Sequence, residues 1–319
     1  MSEVFLALEE RVQRIEIELT GIKKLIVQAK NGLPISAPAQ PPAPVVALPP
    51  ALSEFEELRG LLQSSDWPPA INPGLICDIS SEQDKQDRAE GILDIIIDMH
   101  LEGLKMLDFG CGEGHVVSRS TNQNPELAVG YDILESTRWS DLSNEKTLFT
   151  SNWTDVVKNG PYSVILMYDV IDHIVNEDPI ELLKRLRPLL KPNGKVYVRC
   201  HPWCSRHATH LYHDLNKAYA HLVFSEQELQ NLGHFGGQKV KRVIHPILSY
   251  NDMFVQSGFR LSAQPQIMRE PIEPFFVNTP VVTNRIKANW KDSHEQHLRD
   301  GSGFPFIQME QQFLDYILL

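Results

Sequence analysis

Between Lys105 and Arg199 short apolar strands alternate with helical segments, and few folds accommodate that pattern. The strands predicted are Lys105–Phe109, Ala128–Asp132, Thr147–Asn152, Ser163–Tyr168 and Lys195–Arg199, with helices after Gly114 and at Ile180–Leu190. These strands are apolar on both faces rather than on alternate positions, as expected when helices cover both sides of a parallel sheet. A doubly wound α/β fold follows. Upstream, Ser53 and Glu56 form a capping box for a helix through Leu62, and Ser81 caps a longer one from Glu82 to about His100. Ile92, Ile95, Ile96 and Met99 should share its buried face. Downstream, a helix is expected at Tyr250–Gly258, a further strand from Phe259, a helix from Thr279-Pro280 to Trp290, and a last helix at Met309–Leu319.

The chain ahead of this region is built differently. Phe5, Leu8, Val12, Ile15, Leu19, Ile22, Ile26 and Ala29 recur at 3-4 spacing, the signature of a coiled-coil seam. Arg11 with Glu16, and Glu18 with Lys23, suit a parallel pairing, and isoleucine at the second seam position favours a trimer over a dimer. Asn31-Gly32 ends the helix, and seven prolines follow between Leu33 and Ser53, giving an extended tether with no core. The expected organisation is a stem at 1–31 that self-associates through residues 5–29, a linker at 32–53, and a head at 54–319. Within the head, 82–270 would be the core and 271–319 a C-terminal helical extension.

The net charge of −11 argues against indiscriminate nucleic-acid or lipid binding. It hides a local reversal: from Glu181 to Tyr250 there are eleven basic residues, four acidic ones and seven histidines. Such a surface would suit a phosphate-bearing acceptor, an RNA or a nucleotide. The sequence contains no run of eighteen apolar residues, so no membrane span is expected. The first ten residues are acidic and lack the order of a secretory signal. Cys77, Cys111, Cys200 and Cys204 stand at no disulfide spacing and are expected to be reduced, in a cytoplasmic setting.

The chemistry-bearing motif is Asp108-Phe109-Gly110-Cys111-Gly112-Glu113-Gly114, between a strand and a helix. Glycines here let a ligand approach backbone without a Cβ in the way, next to a helix N-terminus. Three alternating glycines preceded at two positions by an acid resemble the first motif of class I S-adenosylmethionine-dependent methyltransferases. Val129-Gly130-Tyr131-Asp132, the fourth strand Tyr162–Tyr168 with the loop to Ile174, and the Pro192-Asn193-Gly194 turn into Lys195–Val198 are similar to that family in the same order. The resemblance covers about Asp108 to Arg199. It implies a mostly parallel seven-stranded sheet and S-adenosylmethionine as cofactor. It assigns Asp108 to the methionine part and Asp132 to the ribose, with Phe109, Gly110, Cys111, Gly112 and Gly114 as the bed. Ile133, Asn152 and Trp153 would meet the adenine, Asn152 standing where many relatives have aspartate, and Tyr168 and Asp169 would close the site.

The segment after the fifth strand should line the acceptor side. It holds Arg199, Cys200, His201, Trp203, Cys204, Arg206, His207, His210 and His213. Cys200, Cys204, His207 and His210 match no common zinc spacing, so no metal is expected. The preferred reading is an acceptor pocket: His201 as base or orienter, Trp203 as a stacking surface, Arg206 as an anion contact, with His207 and His210 beside them. Asp169 and His173 are further candidates for moving a proton. The expected function is methyl transfer, with RNA or a nucleotide slightly favoured over a small molecule or protein as acceptor. The rival is a structural or attachment protein of a larger, even viral, assembly that uses the head for docking. If the seam at 5–29 holds copies together, deleting residues 1–30 should reduce the mass measured by light scattering to that of a monomer.

Overall fold

Seven strands form one sheet in the order β3-β2-β1-β4-β5-β7-β6. They are β1 (Lys105–Phe109), β2 (Leu127–Tyr131), β3 (Thr147–Thr150), β4 (Tyr162–Tyr168), β5 (Leu190–Cys200), β6 (Gln266–Arg269) and β7 (Gln311–Leu318). The computed structural model describes residues 53–71, 81–174, 177–208, 211–234, 245–290 and 309–319. The seam at 5–29 and nearly all of the proline-rich linker lie outside the described residues. Strands β1 to β5 pair in parallel, whereas β7 runs antiparallel to both β5 and β6, so the sheet is mixed. Strand order turns outward in both directions from β1 and β4, which leaves a crevice beyond their carboxyl ends.

Alternation along the strands sorts side chains to two faces. Leu107, Phe109, Ile165, Met167, Val196 and Val198 point to a face packed by Val156, Leu182, Leu183, Tyr250 and Phe254 from the helices Trp153–Asn159, Pro179–Leu186 and Ile247–Gln256. Met106, Val164, Leu166 and Tyr197 point to the other, packed by Ile92, Leu93 and Ile96 from the helix Glu82–Ile95 and the turn after it. That helix stops earlier than the expected His100, and Ile95 is 77% exposed rather than part of the buried stripe. Both expected N-caps form: Ser53 and Glu56 close a capping box, and the Ser81 side chain accepts from the Asp84 amide.

The expected final helix at Met309–Leu319 is instead β7. Phe313, Leu314, Ile317 and Leu318 fit a helical stripe as well as a strand. Sheet pairing decides for the strand, because Leu314, Tyr316 and Leu318 then join one face while Ile317 packs on the other and Asp315 meets Arg199. Among the described residues of 271–319 there are helices at Pro274–Asn278 and Pro280–Asn289, followed at the far end by β7. A third apolar cluster lies apart from the two sheet faces. It joins Leu58, Leu62 and Trp67 to Trp203, Phe224, Leu229, Phe276, Ile286, Trp290 and Met309.

Five of the eleven basic residues of 181–250 pair with carboxylates from near and far. Lys184 pairs with Glu181, Arg185 with Glu177, Lys195 with Asp98, Arg199 with Asp315 and Arg206 with Glu273. Lys217 donates to the Ser64 carbonyl at 2.7 Å, and Lys239, Lys241 and Arg242 lie outside the described residues. No described helix is long and apolar enough to cross a membrane. Because Leu314 is fully buried where β7 meets the main core, Leu314→Ala should lower unfolding stability by about 2–5 kcal/mol in urea titration.

Candidate active site

The crevice is shaped by how the glycine loop is tied down. Gly110 and Cys111 both donate their amides to the carbonyl of Tyr131, at 2.7 and 3.0 Å, so the end of β1 is clamped to the end of β2. Gly110, Gly112 and Gly114 all have positive φ, a conformation that disfavours L side chains. A Cβ on Gly110 would lie 2.4 Å from a Val170 methyl, and one on Gly114 would lie 2.4 Å from the Phe149 ring, so both are packing requirements. A Cβ on Gly112 would meet nothing within 4 Å, so backbone there faces open space. Phe149 stacks on Trp139, whose indole donates to the Gly112 carbonyl at 2.8 Å. This aromatic support was not expected from the sequence, because Trp139 belongs to no motif.

Asp132 reaches back over the loop. One carboxylate oxygen accepts from the Gly112 amide at 2.9 Å and the other from the Leu134 amide at 3.1 Å. Ile133 and Leu134 beside it are 70% and 75% exposed, an apolar ledge next to a sugar-binding type of acid. Asp108 is buried, on the strand face opposite Phe109. Burial first, and the Asp132 charge second, push its carboxyl up to about 7, with Arg88 pulling the other way. A buried carboxylate of this kind is stabilised by a cation. The crevice itself, about 320 Å³, is lined by Lys85, Arg88 and Ile92 from the helix Glu82–Ile95 and by the loop Gly110–Gly114. Lys85 pairs with Glu113 at 2.6 Å, whereas Arg88 stands 3.9 Å from Asp169 and over the Tyr168 ring. Arg88 and Lys85 were not expected in the site. The signal was a basic pair at i and i+3 on the helix leading into the sheet.

These residues suit S-adenosylmethionine. The open glycine loop would form the cradle for such a cofactor, with Asp108 and Arg88 as the groups of opposite charge on its methionine side and Asp132, on the Gly112 amide, on its ribose side. Ile133 and Leu134 offer apolar cover for adenine. Asn152 and Trp153 take other partners. The Asn152 side chain caps the helix Trp153–Asn159 by accepting from Thr154 at 2.9 Å. Trp153 lies edge-on to Phe109 and Tyr131 with Arg185 over its ring. Neither lines the crevice over the glycine loop, nor do Asp108, Ile133 and Leu134; Asp132 reaches that loop through the Gly112 amide.

At the end of β4, Asp169 has φ 54 and donates its amide to the Arg199 carbonyl. Its carboxylate lies 3.7 Å from Nε2 of His201. The His201 ring is buried, and Nδ1 sits 3.0 Å from the Gln312 carbonyl, which can only accept, so Nδ1 carries the proton. His173 closes the short turn Ile171–His173, its amide donating to the Val170 carbonyl.

The acceptor-side expectations are redistributed. Trp203 is no open stacking surface: it is buried in the third cluster against Trp290, 4.6 Å between ring centroids. Arg206 is already committed, donating to the carbonyls of Pro69 and Ala70 and pairing with Glu273. His207 lines a second cavity with Phe313 and Glu270, and its ring meets His201 at 4.8 Å. His210 lies outside the described residues. Cys200 and Cys204 belong to different apolar clusters, which separates two of the thiols and imidazoles weighed as a metal set.

Residues 82–237 match the family model described as a methyltransferase domain. A tRNA U34 carboxymethyltransferase from Trichodesmium erythraeum is 27% identical over 108 residues, 31% of this chain and 32% of that protein. The chain thus spans about a third of the length of that curated relative. Among solved structures, the 1,6-didemethyltoxoflavin-N1-methyltransferase of Burkholderia thailandensis aligns with TM-score 0.42 and 12% identity, covering 85% of this chain and 91% of that one. An S-adenosylmethionine-dependent methyltransferase from Mesorhizobium loti aligns with TM-score 0.44 and 14% identity, covering 72% and 97%.

Asp108 sets a pH dependence of unusual sign for a carboxylate. Its folded value, about 7, lies above the ordinary 3.8, so between those limits the folded chain holds a proton that the unfolded chain has lost. Its contribution to the stability of the cofactor-free protein is full below pH 4 and lost as pH rises through 7. Urea midpoints should therefore carry a descending component over that window, absent in Asp108→Asn.

Proposed function

From the match of residues 82–237 to a methyltransferase domain we propose that this chain is a class I S-adenosylmethionine-dependent methyltransferase and transfers methyl groups from S-adenosylmethionine. The observation that carries this reading is Asp132. Its carboxylate sits over the glycine loop, on the Gly112 amide, at the position from which it can take two ribose hydroxyls. When bound, S-adenosylmethionine supplies a methyl group already activated on a sulfonium, so the chain's own task is to position and desolvate. Asp108, Gly110, Gly112 and Arg88 hold the methionine half, Asp132 and Ile133 the nucleoside half, and Tyr168 and Asp169 border the acceptor side. His201, with its proton fixed on Nδ1 by Gln312, presents Nε2 towards Asp169. His201 and Asp169 together form the pair through which a proton could pass from an acceptor that must lose one.

The similarity to a tRNA-modifying enzyme supports an RNA or nucleotide acceptor. The ion pairs of Lys184, Arg185, Lys195, Arg199 and Arg206 reduce the basic surface open to a polynucleotide among the described residues. Self-association through 5–29, as a parallel trimer, rests on the 3-4 seam and accompanies this reading as part of the proposal. In isothermal titration the full chain should bind S-adenosylmethionine. Asp132→Ala should weaken it by roughly tenfold or more, the loss of charge-assisted bonds to the ribose. Labelled methyl groups should enter one of fractionated RNA, protein or small-molecule pools with wild type and none with Asp108→Ala. No binding at millimolar cofactor would end the enzymatic reading.

A further inference from the structure

A second cavity, of about 730 Å³, opens among Pro69, Ala70, Arg206, His207, Glu270 and Phe313. A chain of ring and guanidinium contacts connects it to the cofactor crevice. Arg88, in the crevice wall, lies 5.0 Å over the Tyr168 ring. Arg199 lies 5.3 Å over the same ring and 5.2 Å over Phe313. Phe313 in turn meets His201 at 4.4 Å and His207 at 6.0 Å. Asp169 stands between the two sites, 3.9 Å from Arg88 and 3.7 Å from His201. Among the described residues the two cavities share no lining, and Asp169 and His201, beyond the end of β4 and β5, stand between them.

The charge of the lining selects what can lodge there. Among its described residues the one guanidinium, Arg206, is held by Glu273 and by the carbonyls of Pro69 and Ala70. The carboxylate of Glu270 is exposed and makes no ion pair among the described residues. An incoming phosphate would meet a cation already neutralised and a carboxylate of its own sign. A cationic ring would meet that carboxylate together with aromatic faces that attract cations. The volume is that of a small-molecule pocket, whereas a polynucleotide is tracked by an extended basic groove.

We propose that this cavity receives the methyl acceptor, and that the acceptor is a small planar-ringed molecule carrying a basic nitrogen and no phosphate. The inference rests on the methyl-transfer reading for its context, but its test separates the two. The full chain is titrated, with and without saturating S-adenosylhomocysteine, with two probes that share one ring: tryptamine, a cation, and indole-3-acetate, an anion. A twelve-nucleotide single-stranded RNA serves as competitor. Tryptamine should bind at least about tenfold more tightly than indole-3-acetate. Glu270→Gln should erase that preference. Phe313→Ala should weaken tryptamine by roughly tenfold while leaving S-adenosylhomocysteine affinity in place, which also reports that the variant is folded. No tryptamine binding at millimolar concentration would overturn the inference. So would equal or tighter indole-3-acetate, displacement of tryptamine by the RNA, or a preference that survives in Glu270→Gln. Failure to bind S-adenosylhomocysteine would instead strike the methyl-transfer reading, whatever the probes do.

Discussion

The carbonyl oxygen of Tyr131 receives the amides of Gly110 and Cys111, and this double tie fixes the rest of the site. It bends the chain leaving β1 across the end of β2, where a straight continuation would carry it into solvent. The bend turns the Gly112 amide towards Asp132, and the carboxylate completes the loop from above. The three positive-φ glycines are the consequence: the path is short, and Val170 and Phe149 already occupy the space where side chains would go. Backbone polarity at this turn is thereby satisfied in part by the fold and in part left for a ligand, as helix-preceding loops of this kind allow.

Electrostatics follow from the same geometry. Alternation along β1 sends Leu107 and Phe109 to one apolar face and leaves Asp108 buried on the other. Burial and the neighbouring Asp132 make ionisation of Asp108 costly, and Arg88 offsets only part of that cost. A site with two carboxylates and one partly exposed guanidinium carries one carboxylate in excess, which a cationic group of a ligand would offset. Cys111 belongs to this field too. Burial, and then the two aspartates, push its thiol far up, so it stays protonated beside the cofactor and is a poor nucleophile.

The geometry of the glycine loop and of Asp132 was legible in the sequence because it is local, whereas Arg88 and Lys85 come from an upstream helix and were not seen. Asp108 to Gly114 and Val129 to Asp132 are each one strand end and one turn, so spacing alone places their side chains. The acceptor half was not. Trp203, Arg206 and His207 were visible as an unusual composition, but composition carries no direction. One proved to be core, one an internal clamp and one a cavity wall, because their partners come from Trp290, Pro69 and Phe313, residues far away in sequence. The last strand failed for a related reason. Phe313, Leu314, Ile317 and Leu318 satisfy the helical and the alternating pattern together, and only pairing with β5, more than a hundred residues earlier, separates them.

That same strand joins the two halves. From β7 and its approach, Gln312 fixes His201 through its carbonyl and receives the Arg206 amide through its side chain, Asp315 holds Arg199, and the Met309 carbonyl accepts from Tyr219. His201, Arg199 and the Arg206 amide are thus positioned by residues of the last strand, whereas the glycine loop and Asp132 are held by residues 82–200. The family match, which ends at residue 237, spans the second set and stops before the first. This is the division expected if one half answers to an invariant ligand and the other to a substrate that differs between enzymes. The glycine loop is held by short-range contacts to Tyr131 and Asp132. Changes in β7 and in the third apolar cluster can instead alter the acceptor cavity without disturbing the Tyr131 tie.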